Sequence, residues 1–324
     1  MTSEERPSPP SGGFAATNLI NVDDFPAAEI DYVLDLAAHY ANFLRMGARP
    51  PQRLAGKTQV NLFFEDSTRT NLSFELAGKK LGADVLGVPV SASSVNKGES
   101  LVDTVQTLAA MGAHALIVRH REPRVHDELA CRIDCPVINA GDGVREHPTQ
   151  ALLDAATIRS VYGSLDGRVI AICGDVKHSR VAASDARLFT RLGAEVRFVG
   201  PAHLMPTPHQ FPDIRRCDTL KDGLAGADIV MGLRMQFERM EEDGAAAARG
   251  YFEEFGLTHK TLQFAKPDAK IMHPGPMNRG VEIDGALADD AERSLILQQV
   301  FFGVAARMAV LDALITKGQS CPSR

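Results

Sequence analysis

The stretch Val60–Leu81, VNLFFEDSTRTNLSFELAGKKL, constrains the fold more than any other part of the chain. Val60–Phe64 is a short apolar run, long enough for a buried strand and too short for a helix. Glu65-Asp66-Ser67 breaks the pattern. Leu72 and Leu76, then Phe74, Ala77 and Leu81, follow at the three-to-four-residue spacing of a helix face. Ser67-Thr68-Arg69-Thr70 therefore falls where a strand ends and a helix begins. The first turn of a helix carries unpaired N–H groups and a partial positive charge. A serine, two threonines and an arginine add hydroxyls and a fixed cation, which together describe a phosphate cradle without a glycine-rich loop. The plainer reading is that Ser67 or Thr68 caps the helix. On this stretch alone the two readings stand level.

At 324 residues the chain exceeds one ordinary hydrophobic core, so two domains are expected. A formal charge of −6 argues against a nucleic-acid partner, whose footprint is basic. Local arginines still permit an anion site. Five scattered cysteines, an odd number with no signal peptide before them, point to free thiols in a reducing cytoplasm. Cys131 and Cys135 lack a second pair that would complete a zinc site. No run reads as a transmembrane span, so no membrane partner is expected.

Residues 1–13, MTSEERPSPPSGG, read as a disordered tail. Beyond them, apolar residues at helical spacing (Ile30, Val33, Leu34, Ala37, Ala41) alternate with short strand-like runs: Asp84–Val90, Ala115–Val118, Pro136–Ala140, Arg168–Cys173, Glu195–Gly200, Ala227–Leu233 and Lys270–Met272. The loop Ser91–Glu99 is small and polar, with Lys97 as its one cation. Met235–Lys260 reads as a long charged loop around an alanine run, and Asp290–Thr316 as one long packing helix. Two prolines around Gly275 make Gly275–Pro276 a candidate cis peptide. Gly174 follows a strand, but no G-x-G-x-x-G pattern surrounds it, which weighs against a dinucleotide site.

Alternation of strands and helices throughout implies an α/β fold of parallel sheets with helices on both faces. Such doubly wound sheets bind ligands at the carboxyl ends of their strands. Ser67–Thr70, Arg119, His147, Gln150, Arg180, Arg234 and Gly275 all fall just after expected strands or at helix starts. Three arginines, a histidine and a hydroxyl-arginine cradle at that edge describe a pocket for several negative charges.

Phe64-Glu65-Asp66-Ser67-Thr68-Arg69-Thr70 resembles the carbamoyl-phosphate signature of the aspartate and ornithine carbamoyltransferases, and the resemblance runs from about Phe14 to Thr316. Arg234-Met235-Gln236 with Glu238-Arg239, and His273-Pro274-Gly275-Pro276, resemble the aspartate branch of that family; the Ser-Met-Gly and His-Cys-Leu-Pro segments of the ornithine branch are absent. The resemblance implies two doubly wound domains, residues 14–148 with 291–324 for carbamoyl phosphate and 149–290 for aspartate, with the C-terminal helix packing back on the first. It implies transfer of a carbamoyl group to L-aspartate in pyrimidine synthesis, or else to another amine such as an ornithine derivative, without metal or cofactor.

By the same resemblance Ser67, Thr68, Arg69 and Thr70 hold the phosphate, while Arg119, His147 and Thr70 polarise the carbamoyl oxygen. Gln150 and the backbone at Pro274, Gly275 and Pro276 orient its NH2. Arg180, Arg234 and Gln236, with Lys97, grip the aspartate carboxylates. Ser93 and Lys97 match positions that reach a neighbouring subunit's site, which implies a homotrimer with shared active sites. A higher assembly with a regulatory or dihydroorotase-like chain is a further expectation. Gly275 stands where some members carry leucine, a departure that a backbone contact survives.

Overall fold

Two parallel sheets organise the chain, one in each of two units. The computed structural model describes residues 5–88, 100–235 and 244–317. One unit is Met1–Ala156 with Phe301–Arg324, the other Thr157–Val300. The first opens with α1 (Ala27–Arg45), β1 (Thr58–Phe63), α2 (Thr68–Lys80), β2 (Asp84–Val88), α3 (Leu101–Ala110), β3 (Ala115–His120), α4 (Val125–Ala130), β4 (Val137–Asp142) and α5 (Pro148–Tyr162). The second runs through β5 (Val169–Cys173), α6 (Arg180–Arg191), β6 (Glu195–Val199), β7 (Arg215–Cys217), α7 (Leu220–Leu224) and β8 (Ile229–Gly232). It continues with α8 (Gly244–Phe255), α9 (His259–Leu262), β9 (Lys270–Met272) and α10 (Gly285–Ala288), and α11 (Ile296–Ile315) returns the chain to the first unit.

The strand order is β2-β1-β3-β4 in the first sheet and β7-β6-β5-β8-β9 in the second, every pair parallel. Parallel neighbours need crossovers, and the helices between strands supply them. Each order reverses direction once, between β1 and β3 in the first sheet and between β5 and β8 in the second. At such a reversal the adjacent crossovers leave on opposite faces and open a crevice at the carboxyl edge.

Around the first sheet, Val60, Leu62, Leu116, Val118 and Val137 bury their side chains with Val105 of α3 and Leu129 of α4. Full burial of each such side chain contributes about 1.5–3 kcal/mol. Helix α2 carries two apolar rows with opposite fates. Phe74, Ala77 and the following Leu81 are sealed in the core, whereas Leu72 and Leu76 stand outward at 52% and 47% exposure. Gly78 lets the helix sit low on the sheet: a Cβ there would lie 2.2 Å from Gln59 Oε1 and 2.7 Å from a Val85 methyl. Gln59 Nε2 then reaches the Phe74 carbonyl at 3.0 Å and locks the helix to β1.

Three expectations are corrected. The alanine run in Met235–Lys260 is helical, within α8, because alanine's helix propensity outweighs the flanking glycines. The last helix starts at Ile296, not Asp290: Asp290 Oδ1 accepts the N–H groups of Glu292 and Arg293 and holds a turn instead. That helix is also long and apolar enough to span a membrane by length and composition, yet 72% of its apolar 18-residue window is buried inside the protein. Its C-terminal half packs on the first unit. Arg45 of α1 covers the Phe301 and Phe302 rings, and Tyr40 donates to the buried Asp312 at 2.7 Å. Arg6, in the stretch read as a tail, donates to the same carboxylate through Nε and Nη2 at 3.2 and 3.0 Å.

Candidate active site

In the first unit the switch point lies between the ends of β1 and β3, where Phe63 is in register with Arg119. Ser67 is the N-cap residue of α2, with extended backbone, and its side chain makes no capping bond. The capping reading of Ser67 therefore fails here, and its hydroxyl is left to face a ligand beside the open amides of the first turn. Thr68 and Arg69 are exposed and Thr70 is buried. Desolvation pulls the Arg69 guanidinium below its ordinary value. Among the described residues no acid forms an ion pair with Arg69, which leaves the fork available to an anion.

Arg119 is buried and aimed along the strand ends. Its Nη1 donates to the Ala140 carbonyl of β4 at 3.2 Å and its Nη2 to Glu65 Oε1 at 2.6 Å. Glu65 is a site residue that the motif reading left without a role. Its carboxylate occupies the fork that an incoming anion or carbonyl oxygen would engage. Beyond β4 the turn is fixed by reciprocal bonds, Asp142 N–H to the Glu146 carbonyl at 3.0 Å and Glu146 N–H to Asp142 Oδ1 at 2.8 Å. This delivers His147, buried, to the start of α5, where Pro148 occupies the first helical position at no hydrogen-bond cost. The His147 carbonyl accepts the Gln150 N–H at 2.9 Å.

Behind these groups lies Arg307 of α11. Its Cζ sits 4.9 Å from the Phe74 ring centroid, and its Nη1 donates to the Gly303 carbonyl at 3.0 Å. Burial lowers it to about 9, Asp154 acts in the opposite sense, and Arg119 adds to the lowering. It thus remains a cation at neutral pH, with α2, β3 and α5 converging on it.

The second unit builds its edge differently. Helix α6 is capped conventionally: the Ser179 hydroxyl accepts the Ala182 N–H at 3.1 Å. Its cations are Arg180, the first helical residue, and Arg234, just past β8, on the two sides of the switch point. Gly174 permits this spacing, because its φ is +125° and a Cβ would meet the Leu233 carbonyl at 3.0 Å. Asp175, buried, takes the His178 N–H and ring at 3.2 and 2.9 Å, fixing the turn before Arg180.

The segment after β9 is held just as firmly. His273 Nδ1 accepts the Gly275 N–H at 2.8 Å, and the His273 backbone N–H donates to Gln299 Oε1 at 2.8 Å. The Gly275–Pro276 peptide is cis and Gly275 has φ +65°, a conformation that favours glycine over leucine. Asn278 Nδ2 donates to the Met235 carbonyl at 3.2 Å, and the buried Glu282 accepts the N–H groups of Met235 and Asn278. Glu282 and Asn278 therefore tie the backbone next to Arg234 to the Gly275 segment. Tyr251 of α8 is buried, and burial pushes its hydroxyl far above the ordinary phenol range, with the charges of Glu282 and Asp175 acting in the same direction. Gln299, Asn278, Glu282 and Tyr251 carried no sequence signal beyond residue type. Of the expected site residues, Ser93, Lys97 and Gln236 lie outside the described residues.

Family comparison agrees with both halves of this description. Residues 17–160 match the carbamoyl-P binding domain of aspartate/ornithine carbamoyltransferases, and residues 166–314 match the Asp/Orn binding domain. The aspartate carbamoyltransferase catalytic subunit of Granulibacter bethesdensis is 53% identical over 310 residues, covering 96% of this chain and 98% of that one. That of Sphingopyxis alaskensis is 51% identical, covering 99% and 95%. Among solved structures, Trypanosoma cruzi aspartate transcarbamoylase in complex with carbamoyl phosphate aligns with a TM-score of 0.83 at 31% identity, covering 93% and 96%. Pyrococcus furiosus ornithine carbamoyltransferase aligns with a TM-score of 0.86 at 27% identity, covering 95% and 99%. With an open, hydroxyl-lined helix start at one switch point, paired arginines at the other, and both domain models matched in order, the chain belongs to the aspartate/ornithine carbamoyltransferase family.

Proposed function

We infer that this chain is an aspartate carbamoyltransferase. It transfers the carbamoyl group of carbamoyl phosphate to the amino group of L-aspartate, giving N-carbamoyl-L-aspartate and phosphate, a step of pyrimidine synthesis. The observation that carries this is the near-complete 53% identity to a catalytic subunit of that activity.

The roles follow from chemistry. The α2 amides with Ser67, Thr68, Arg69 and Thr70 hold the phosphate, whose charge matches an open helix start. The aspartate nitrogen attacks the carbamoyl carbon, the carbon–oxygen bond to phosphate breaks, and the amine proton leaves with the departing phosphate. Negative charge builds on the carbamoyl oxygen during attack, and Arg119, His147 and Thr70 stabilise it. Gln150 and the backbone at Gly275 and Pro276 orient the carbamoyl NH2. Arg180, Arg234 and Gln236 bind the two aspartate carboxylates, for which planar guanidinium forks are suited. Carbamoyl phosphate is already an activated mixed anhydride, so positioning and charge stabilisation carry the catalysis.

Ser93 and Lys97 serve the site of a neighbouring chain, in a homotrimer with shared sites; a regulatory or dihydroorotase-like chain is a candidate further partner. A cytoplasmic, reducing setting fits the four described cysteines, all free thiols. The test is ureido-product formation by the purified chain with carbamoyl phosphate and either aspartate or ornithine. Product with aspartate alone is expected. Product with ornithine alone would overturn the acceptor assignment, since a cationic side chain has no use for two arginines.

A further inference from the structure

Asp154 lies on α5 one turn beyond Gln150, and no motif assigns it a task. Its side chain is fully buried. Gln150 Nε2 donates to Asp154 Oδ1 and Oδ2 at 3.2 and 3.0 Å. An ionised carboxylate offers only acceptors, so it can be met only by the NH2 end of the amide. The reversed amide would press Oε1 against two carboxylate oxygens. The carboxylate therefore decides which way the Gln150 amide faces, and Oε1 is turned away from Asp154 as an acceptor. A buried carboxylate needs a counter-charge, and the buried Arg307 supplies it.

We propose that Asp154 is a positioning residue of the transfer reaction, holding Gln150 with its oxygen presented to the substrate and so selecting a donor whose carbonyl carbon bears NH2. This deepens the reading under Proposed function and rests on it. A carbamoyl group brings two N–H donors to that oxygen, whereas an acetyl group of the same shape brings none. A site built to pair an N–H discriminates strongly against the analogue that lacks it. Arg307 gives the device its direction. An amide in place of the carboxylate turns its oxygen to Arg307 and its NH2 to Gln150, and Gln150 must then reverse and present NH2 to NH2.

The test compares the full-length wild-type chain with Asp154→Asn, Gln150→Ala and the double variant. Asp154→Asn is expected to lower kcat/KM for carbamoyl phosphate about 10–100-fold. Inhibition by inorganic phosphate and by acetyl phosphate should stay within about twofold of wild type, because neither offers an N–H. In the Gln150→Ala background, Asp154→Asn should cost no more than about twofold further, since residues acting through one another are not additive. Multiplying losses in the double variant, a parallel loss of phosphate affinity, or an unchanged kcat/KM in Asp154→Asn would each overturn the proposal. If Asp154→Asn does not fold, Asp154→Leu/Arg307→Met removes both buried charges together and carries the same expectations. A wild-type chain that does not carbamoylate aspartate would overturn the underlying reading instead, before any variant is compared.

Discussion

The two sheet edges offer positive charge by different means. In the first unit the start of α2 is left open: Ser67 occupies the N-cap position without capping, so backbone amides and hydroxyls face outward. In the second unit Ser179 closes the start of α6 with its own hydroxyl, and the positive charge comes from Arg180 and Arg234. Under the proposed function, the difference follows the shape of the ligands. A phosphate is compact and tetrahedral and fits a fixed ring of N–H and O–H donors. Two carboxylates on a flexible chain are planar and separated, and guanidinium forks on long stems reach each of them.

The sharpest way to break this comparison is Arg69→Ala. Losing that fixed cation should lower kcat by about 10²–10³-fold, the usual scale for one charge-stabilising donor, with the melting temperature unchanged. Wild-type-like turnover would remove the first edge from the chemistry. Arg234→Ala should raise the aspartate KM by about 10–100-fold and leave carbamoyl phosphate binding intact, as loss of a charged hydrogen bond predicts. Calorimetry with carbamoyl phosphate alone checks this, and a collapse of that affinity would merge the two edges into one.

The opposite end of the second sheet offers a control. Asp228 accepts from Lys266 Nζ at 2.8 Å, the Val169 N–H at 3.0 Å and Arg168 Nη1 at 3.0 Å. Burial alone would raise its carboxyl, but these donors outweigh burial and hold it below the ordinary carboxylate value. A depressed carboxyl stabilises the fold above its unfolded-state value, and that stability is lost as pH falls through the folded-state value. Thermal melts from pH 7 to pH 3 should therefore show a steeper acid loss in wild type than in Asp228→Asn. The variant should be less stable at pH 7 by about 1–3 kcal/mol. The aspartate KM should not change in that variant, because Asp228 sits away from the carboxyl edge.

The smallest effect separates the two serines. Ser179→Ala should destabilise by about 1 kcal/mol through the lost cap. Ser67→Ala should leave stability within about 0.5 kcal/mol and weaken phosphate inhibition several-fold, the scale of one neutral hydrogen bond. Equal melting temperatures for the two variants would mean that the caps do not differ as described.

Much of this was legible beforehand because local physics decides it. The apolar run before Ser67 became β1, the glycine between two prolines became the cis turn, and Ser179-Arg180 became a helix start. The short strand β7, three residues long, left no periodicity to read. Nor did the glycines around the alanine run disclose that α8 would form across them. Glu65, Asp154, Glu282 and Arg307 were invisible as site residues, because what each does depends on a partner up to hundreds of positions away in the chain.

Residue spacing by itself determined the alternation of strands and helices, the position of Ser67–Thr70 at a strand-to-helix junction, and the gathering of arginines at strand ends. Those features depend on contacts a few residues apart, which periodicity and turn chemistry report directly. Tertiary structure alone decided the strand orders and hence the two switch points. It also chose which apolar row of α2 faces inward, left the Ser67 hydroxyl uncommitted, and brought Asp154 of α5 within reach of the Arg307 charge on α11. Each of those outcomes is a competition between groups far apart in the chain for the same partner or the same space, and it is settled only when the helices and sheets have packed.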